Sequence, residues 1–341
     1  MSGRALALTT INGSDNRCLQ TLAAGASRHA LPFYVAGDTK TPAGFSLEGV
    51  TYLSLEEQER QFPAFCALLP RKHYGRKNVA YLAAMRDGAE EIQETDDDNY
   101  PRAGFWGDPL SGQETMEEVA GPEGEGWVNV YGVFAKQRIW PRGLPLEMVH
   151  HSAPRVVGQR AAGKALVLQG LADENPDVDA VYRMVADLPM SFEQRPAVIV
   201  APGAWCPFNS QNTIFRRRAF PLLYLPSFCS FRMTDIWRSF VAQRCLWELG
   251  EGVVFHAATV YQERNEHRLL KDFEDEIPGY LHNERIRLLL EGVKVDGGDL
   301  AGSVVRCYEA LVGAGIVGEG ELPLVRAWVR QVEIAAGTSV P

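Results

Sequence analysis

The chain of 341 residues lacks any run that would cross a membrane. Its most apolar stretch, Ala219 to Phe231, is broken by Pro221, Pro226 and Ser227 and falls short of the ~20 apolar residues a spanning helix needs. The N-terminal MSGRALALTTING has one early arginine, too short an apolar core and no cleavage site, so a secretory leader is not expected and a cytoplasmic location is. Cysteine is sparse: six residues with no C-x-x-C pair, which argues against disulfide staples and leaves free, mostly buried thiols as the expected state. None of the seven histidines forms a pair at zinc spacing. There is no G-x-x-x-x-G-K-[ST], no G-x-S-x-G and no H-E-x-x-H, so ATPase, α/β-hydrolase and zincin readings lose their usual support. The net charge of −9 excludes general binding to nucleic acid, and no nucleic-acid partner is expected.

What is present fits a globular chain with a sizeable core, since 46% of the residues are hydrophobic. Ala5 to Thr10 reads as a buried strand, Arg17 to Ser27 as a helix, Leu31 to Ala36 as a second strand and Val50 to Leu53 as a third. Ser54 and Glu57 have the spacing of a capping box that opens another helix. Strands alternating with helices predict a mainly parallel α/β sheet, whose ligands gather at the carboxyl ends of the strands. Residues 101–126, rich in Gly, Pro and acid, read as a long surface insertion, and Trp127 to Phe134 as a strand. Further strands are expected at Ala165 to Leu168, Ala197 to Ala201 and Val253 to Ala257, with a helix over Thr234 to Leu249. The division is therefore 1–285 as the main domain and 286–341 as a helical C-terminal extension. The G-x-G-x-x-G at Gly313 to Gly318 follows a helical pattern instead of a strand and reads as a chance turn.

The stretch from Tyr74 to Tyr100 carries the strongest chemical signal. Asp96, Asp97 and Asp98 repel one another, so a fold that gathers them needs a cation or open water. On a strand-end loop, hard carboxylate oxygens suit Mn²⁺ or Mg²⁺ with open positions for phosphate oxygens; a solvated acidic turn is the competing reading. Arg76, Lys77 and Asn78, one helix upstream, would supply donors to a diphosphate. Thr10, Asn12 and Asp38, with Lys40 beside them, would contact base and ribose from neighbouring strand ends. Asp235 sits where Thr234 or Asp235 could cap a helix, or where Asp235 could serve as a general base. His256 or His267 could be a third metal ligand, although a structural histidine is the stronger expectation for each. The acidic loop at Asp173 to Asp179 reads as surface.

Thr9 to Asn12, Gly37 to Pro42, Tyr74 to Asn78 with Tyr81 and Leu82, the Thr95 to Asn99 block, Arg232 to Trp237 and Val260 to Asn265 together resemble the STELLO-type family of glycosyltransferases. That family is itself distantly similar to reversibly glycosylated polypeptides, the UDP-arabinopyranose mutases. The resemblance covers roughly Leu6 to Tyr280. It implies a GT-A-like, Rossmann-type fold with a DxD motif in which Asp96 and Asp98 face the metal and the diphosphate, leaving Asp97 and Asp235 as candidate catalytic carboxylates. It also implies a UDP-sugar donor and an unidentified glycan or small-molecule acceptor, with homo-oligomerisation left open. Two alternatives go with it: a mutase that glycosylates Arg138 or Arg142, and a non-catalytic scaffold.

Overall fold

The computed structural model describes residues 3–264 and 268–337. Eleven strands form one mixed sheet among the described residues: β1 (Arg4–Thr10), β2 (Phe33–Gly37), β3 (Val50–Leu53), β4 (Glu91–Thr95), β5 (Asn99–Pro101), β6 (Thr115–Ala120), β7 (Arg155–Ala161), β8 (Val167–Asp173), β9 (Val198–Val200), β10 (Asn212–Arg216) and β11 (Val253–Gln262). The spatial order is β3-β2-β1-β4-β10-β8-β11-β9-β6-β7, with β5 paired to β11. The helices are α1 (Arg17–Arg28), α2 (Leu55–Gln61), α3 (Pro63–Cys66), α4 (Lys77–Arg86), α5 (Tyr131–Phe134), α6 (Ala180–Val185), α7 (Thr234–Trp247), α8 (Leu269–Glu291), α9 (Leu300–Gly313) and α10 (Glu321–Ala335).

β1 pairs in parallel with β2 and β4, and β2 in parallel with β3. β10 is antiparallel to both β4 and β8, so β4 and β8 point the same way, and β11 runs parallel to β8. Six strands therefore deliver their carboxyl ends, Thr10, Gly37, Leu53, Thr95, Asp173 and Gln262, to one edge of the sheet. The α/β architecture with flanking helices and a helical C-terminal region agrees with the sequence reading.

The period-2 alternation of β1 and β2 divides the core. Leu6, Leu8, Phe33 and Val35 pack with Leu19 and Leu22 of α1, whereas Ala5, Ala7, Tyr34 and Ala36 join the larger cluster with α4. Small residues on that face let α4, buried all round from Lys77 to Met85, lie close against the sheet. At the centre of the sheet only glycine fits at position 170, because a Cβ there would meet Asn212 Nδ2 at 2.2 Å and His256 Cε1 at 2.5 Å.

Two local expectations are corrected. Residues 101–126 are not a detached insertion, since β6 within them pairs with β7 and β9, and Phe105, Met116 and Val119 are buried. Trp127 to Phe134 is not a strand: Trp127 makes one isolated bridge to Trp205 and the chain then turns into α5. The wide apolar side chains there fill the core from a short helix instead of a ladder.

The C-terminal helices are part of the main core, and the boundary at 285 falls inside α8. Trp328 of α10 is fully buried against Phe65, Tyr81 and Tyr224, with ring centroids 5.8–6.5 Å away, and its Nε1 donates to Pro221 O at 3.0 Å. Glu321, buried at the start of α10, accepts from Ser227 N at 2.9 Å, Phe228 N at 2.7 Å and the Tyr224 hydroxyl. Trp328→Ala should therefore cost about 3–5 kcal/mol of global stability, read as a shifted but still single urea transition. A variant that loses only the signal of a separable C-terminal unit would contradict this packing.

Candidate functional site

A cleft of about 470 Å³ opens at the strand-end edge, lined by residues that follow β1, β2, β4 and β11 and by the start of α7. One wall is the acid block that follows β4. The strand stops at Thr95, and the turn that carries Asp96, Asp97 and Asp98 closes with Asn99 N donating to Asp96 O at 3.3 Å.

Each carboxylate of the block is held differently. Asp96 Oδ1 accepts from Lys77 Nζ at 2.8 Å and from the Tyr74 hydroxyl at 2.6 Å. Asp97 Oδ2 accepts from the Thr10 hydroxyl and from Asn12 Nδ2 at 2.8 Å. Asp98 accepts from neutral amides alone among these bonds: Asn99 Nδ2 and Gln262 Nε2, both at 2.9 Å. Burial, followed by the charges of Asp96 and Asp97, pushes the Asp98 carboxyl up to about 7. Asp97 is also raised, chiefly by burial.

The lining also carries cations. Arg232, Arg264, Lys40 and Lys72 line the cleft with Phe231, whose ring is 55% exposed at the mouth and meets His73 and Tyr74 edge-on. Arg232 is tied to Glu276 at 2.8 Å and Arg264 to Asp272 at 2.6 Å. Burial, and next the charge of Arg232, lowers the Arg264 pKa, while burial and next the charge of Arg264 bring Arg183 down to about 10. Positive charge is crowded among these arginines as negative charge is within the acid block. Deeper in the cleft, Arg142 bridges Asp177 and Asp235, each with a closest approach of 2.8 Å. Burial would lower the Arg142 pKa, but the two carboxylates raise it well above its ordinary value.

The residues expected from sequence divide accordingly. Thr10, Asn12, Asp38, Lys40, Asp96, Asp97, Asp98 and Asp235 all line the cleft. Asp38 is spent on its own turn, accepting from Thr39 N at 2.6 Å and His73 N at 2.9 Å. Arg76 does not reach the cleft: it is buried, donating to Pro70 O, Leu69 O and Gln58 Oε1. Lys77 lies beneath Asp96, and its three N–H donors are taken by Tyr74 Oη, Asp96 Oδ1 and Ser210 O, each at 2.8 Å, leaving none for a phosphate. Asn78 clamps Leu225 through both its amide atoms. Asp235 is an ion-paired carboxylate at the first turn of α7, with Arg142 occupying the oxygens a substrate proton would need to reach.

His256 is not at the cleft. It is buried in mid-strand on β11 with Nδ1 2.9 Å from Ala257 O, and burial lowers its pKa to about 4. His267 lies outside the described residues. Arg138 is exposed and absent from the lining, and Arg142, locked between two carboxylates, is held as a cation and not as a nucleophile. Asp177, read as surface, is buried and lines the cleft. Sequence reasoning also passed over Arg264, Gln262 and Phe231; the strand-end rule applied to β11 would have pointed to the first two.

Among the described residues, no three His, Cys, Asp or Glu side chains form a ready metal cage. The donors still suit a hard divalent ion that keeps most of its shell for water and phosphate oxygens, because such ions take only one or two protein carboxylates. Asp98, raised by burial and then by its neighbours' charges and bonded to neutral amides, is the carboxylate such an ion would relieve.

Residues 232–335 match the family model of the STELLO glycosyltransferases. The Arabidopsis thaliana protein called probable glycosyltransferase STELLO2 is 33% identical over 243 residues, 66% of this chain and 32% of that protein. The chain belongs to the STELLO glycosyltransferase family. Probable glycosyltransferase STELLO1 of the same plant is 29% identical over 323 residues, 89% of this chain and 41% of its own length. The chain thus spans about a third to two-fifths of the curated STELLO proteins it matches. The matched segment runs through α7, β11 and α8 to α10, so the resemblance does not stop near Tyr280 and the C-terminal helices belong to the STELLO segment. No helix among the described residues is long and apolar enough to cross a membrane.

The raised Asp98 pKa has a stability consequence. The folded carboxyl titrates near 7 and the unfolded one near 3.8, so between those values the folded state binds more protons and stability falls as pH rises. In metal-free buffer at pH 8, Asp98→Asn should raise the melting temperature by a few degrees, on the order of 1–3 kcal/mol, and the gain should vanish below pH 4. A lower melting temperature for the variant at pH 8 would show that Asp98 is already neutralised.

Proposed function

We propose that this chain transfers a sugar from a nucleoside diphosphate sugar, with UDP as the nucleotide, to a hydroxyl of an acceptor. The observation that carries this reading is a cleft at the strand ends whose lining combines three aspartates after one strand with lysines and arginines from other segments. A diphosphate with its counter-ion fits such a lining: its oxygens seek guanidinium and ammonium donors, and its metal seeks carboxylate. STELLO membership supports the same reaction class.

In this reading Phe231 offers its exposed face to the base, and Thr10 and Asn12 fix Asp97 toward the ribose. Asp98 and Asp96 would hold the ion, Asp98 oriented by Gln262 and Asn99 and Asp96 by Lys77 and Tyr74. When bound, Mn²⁺ or Mg²⁺ would offset the charge that develops on the departing diphosphate. Arg264, Arg232, Lys40 and Lys72 replace Arg76 and Lys77 as the cations of the diphosphate, and fixed charges of this kind stabilise a leaving group most where water is scarce. The Arg142 bridge holds Asp235 in place in the cleft, where it can orient an acceptor hydroxyl by accepting its hydrogen bond.

Calorimetry of UDP with Mn²⁺ and the release of UDP from UDP-sugars test this. Asp98→Ala should abolish the Mn²⁺-dependent part of binding and turnover, and Arg264→Ala should weaken UDP by about tenfold or more, the loss of one charge-assisted bond. Arg76→Lys should leave UDP affinity within about twofold. Unchanged turnover in Asp98→Ala would overturn the assignment.

A further inference from the structure

A second cavity of about 490 Å³ lies at the same edge of the sheet, beyond the ends of β8 and β11. Gln262 lines both cavities, so the two adjoin at this residue. Its Nε2 is committed to Asp98 Oδ2 at 2.9 Å, while its Oε1 is buried and accepts no hydrogen bond from a described residue. Leaving a buried carbonyl unpaired costs about 1–3 kcal/mol, so the posture of Gln262 serves the acid block at the expense of its own packing.

The walls of the second cavity differ in character. Leu188 and Pro189 form an apolar side, and Glu174, Asn175 and Glu263 with Tyr261 form a polar one. The polar side is anchored by backbone: Glu174 N donates to Met190 O at 2.7 Å, Asn175 Nδ2 to Gln262 O at 3.1 Å, and Glu263 N to Asp98 O at 3.1 Å. Arg102, also in the lining, is paired with Asp173 at 2.9 Å, so its charge is largely spent. An anionic ligand would face two carboxylates with little compensation, and a purely apolar one would strip water from them. A neutral pyranose or furanose ring suits both sides, with its C–H face on Leu188 and Pro189 and its hydroxyls toward Glu174 and Asn175.

We infer that this second cavity is the acceptor subsite, that it takes a neutral sugar ring, and that Gln262 stands where acceptor and donor sites meet. Its acceptor role rests on the glycosyl-transfer reading; its capacity to hold a sugar does not. The size falls within the range of small-molecule sites. A ring held there can extend one hydroxyl past Gln262 into the donor cleft, where Asp235 lies.

The probes are the methyl glycosides of glucose, galactose, mannose, xylose and arabinose, offered to the full chain and read by saturation-transfer difference NMR. UDP and Mn²⁺ binding is followed in the same samples by calorimetry. At least one glycoside should give a signal, and its affinity should fall about tenfold in Glu174→Asn, a replacement that tolerates the positive φ of 69° at that position. Asn175→Ala should act in the same direction, and UDP affinity should stay within about twofold in both variants. No signal from any glycoside, or signals unchanged in both variants, would overturn the inference. If UDP binds and no glycoside does, only the acceptor subsite fails; if a glycoside binds and UDP does not, the donor reading fails and the sugar site stands.

Discussion

The ammonium of Lys77 is the interaction on which the cleft depends. It is buried, and its three donors meet three acceptors drawn from a 3-10 turn, from the acid block and from the segment before β10. Two like charges about 4 Å apart repel by roughly 4 kcal/mol at an effective dielectric near 20, so three adjacent aspartates could not share a half-buried turn unaided. Lys77 neutralises the first of them and polar bonds from β1 steady the second. The third is left with amides only, which concentrates the unmet negative charge at Asp98, on the side of the block nearest β11.

The cationic part of the lining follows from the topology of the sheet. Because β10 is antiparallel to both neighbours, β8 and β11 resume the direction of β1 and β4, and Arg264 emerges past β11 at the same edge as the acids. Arg232 and Asp235 reach that edge from the start of α7, and Arg142 ties Asp235 to Asp177 beyond β8. Sequence separations of more than a hundred residues thus collapse into one cleft. The acid block is also braced from behind: Glu94 accepts from the Tyr81 hydroxyl and pairs with Arg238 at 2.7 Å, which fixes the end of β4 against α4 and α7.

Much of this was legible in the residues. β1, β3 and α1 lie within a residue or two of where periodicity and turn signals put them, and the weakly apolar Glu91–Thr95 is a strand because β1 and β10 flank it. The acid block and the Thr10 and Asn12 loops converge because alternating strands and helices place them at carboxyl ends. Arg76, Lys77 and Asn78 were misjudged for a physical reason: charged and polar residues in sequence read as solvent- or ligand-facing, and only tertiary contacts show that each is buried with its hydrogen bonds used up. β10 was missed because Asn212 to Arg216 has two apolar residues and no alternation beyond them. The C-terminal helices read as an appendage because a helical pattern does not say what its apolar face covers.

That last packing has a bearing on how the chain comes off the ribosome. The face of α4 that carries Tyr81, and Phe65 of α3, is sealed by Trp328, which is synthesised long after them. Until then the N-terminal strands can pair among themselves while a broad aromatic surface stays uncovered, the kind of late-closing intermediate that favours aggregation. Ordered folding therefore favours shielding of a nascent surface whose cover is encoded far downstream of it.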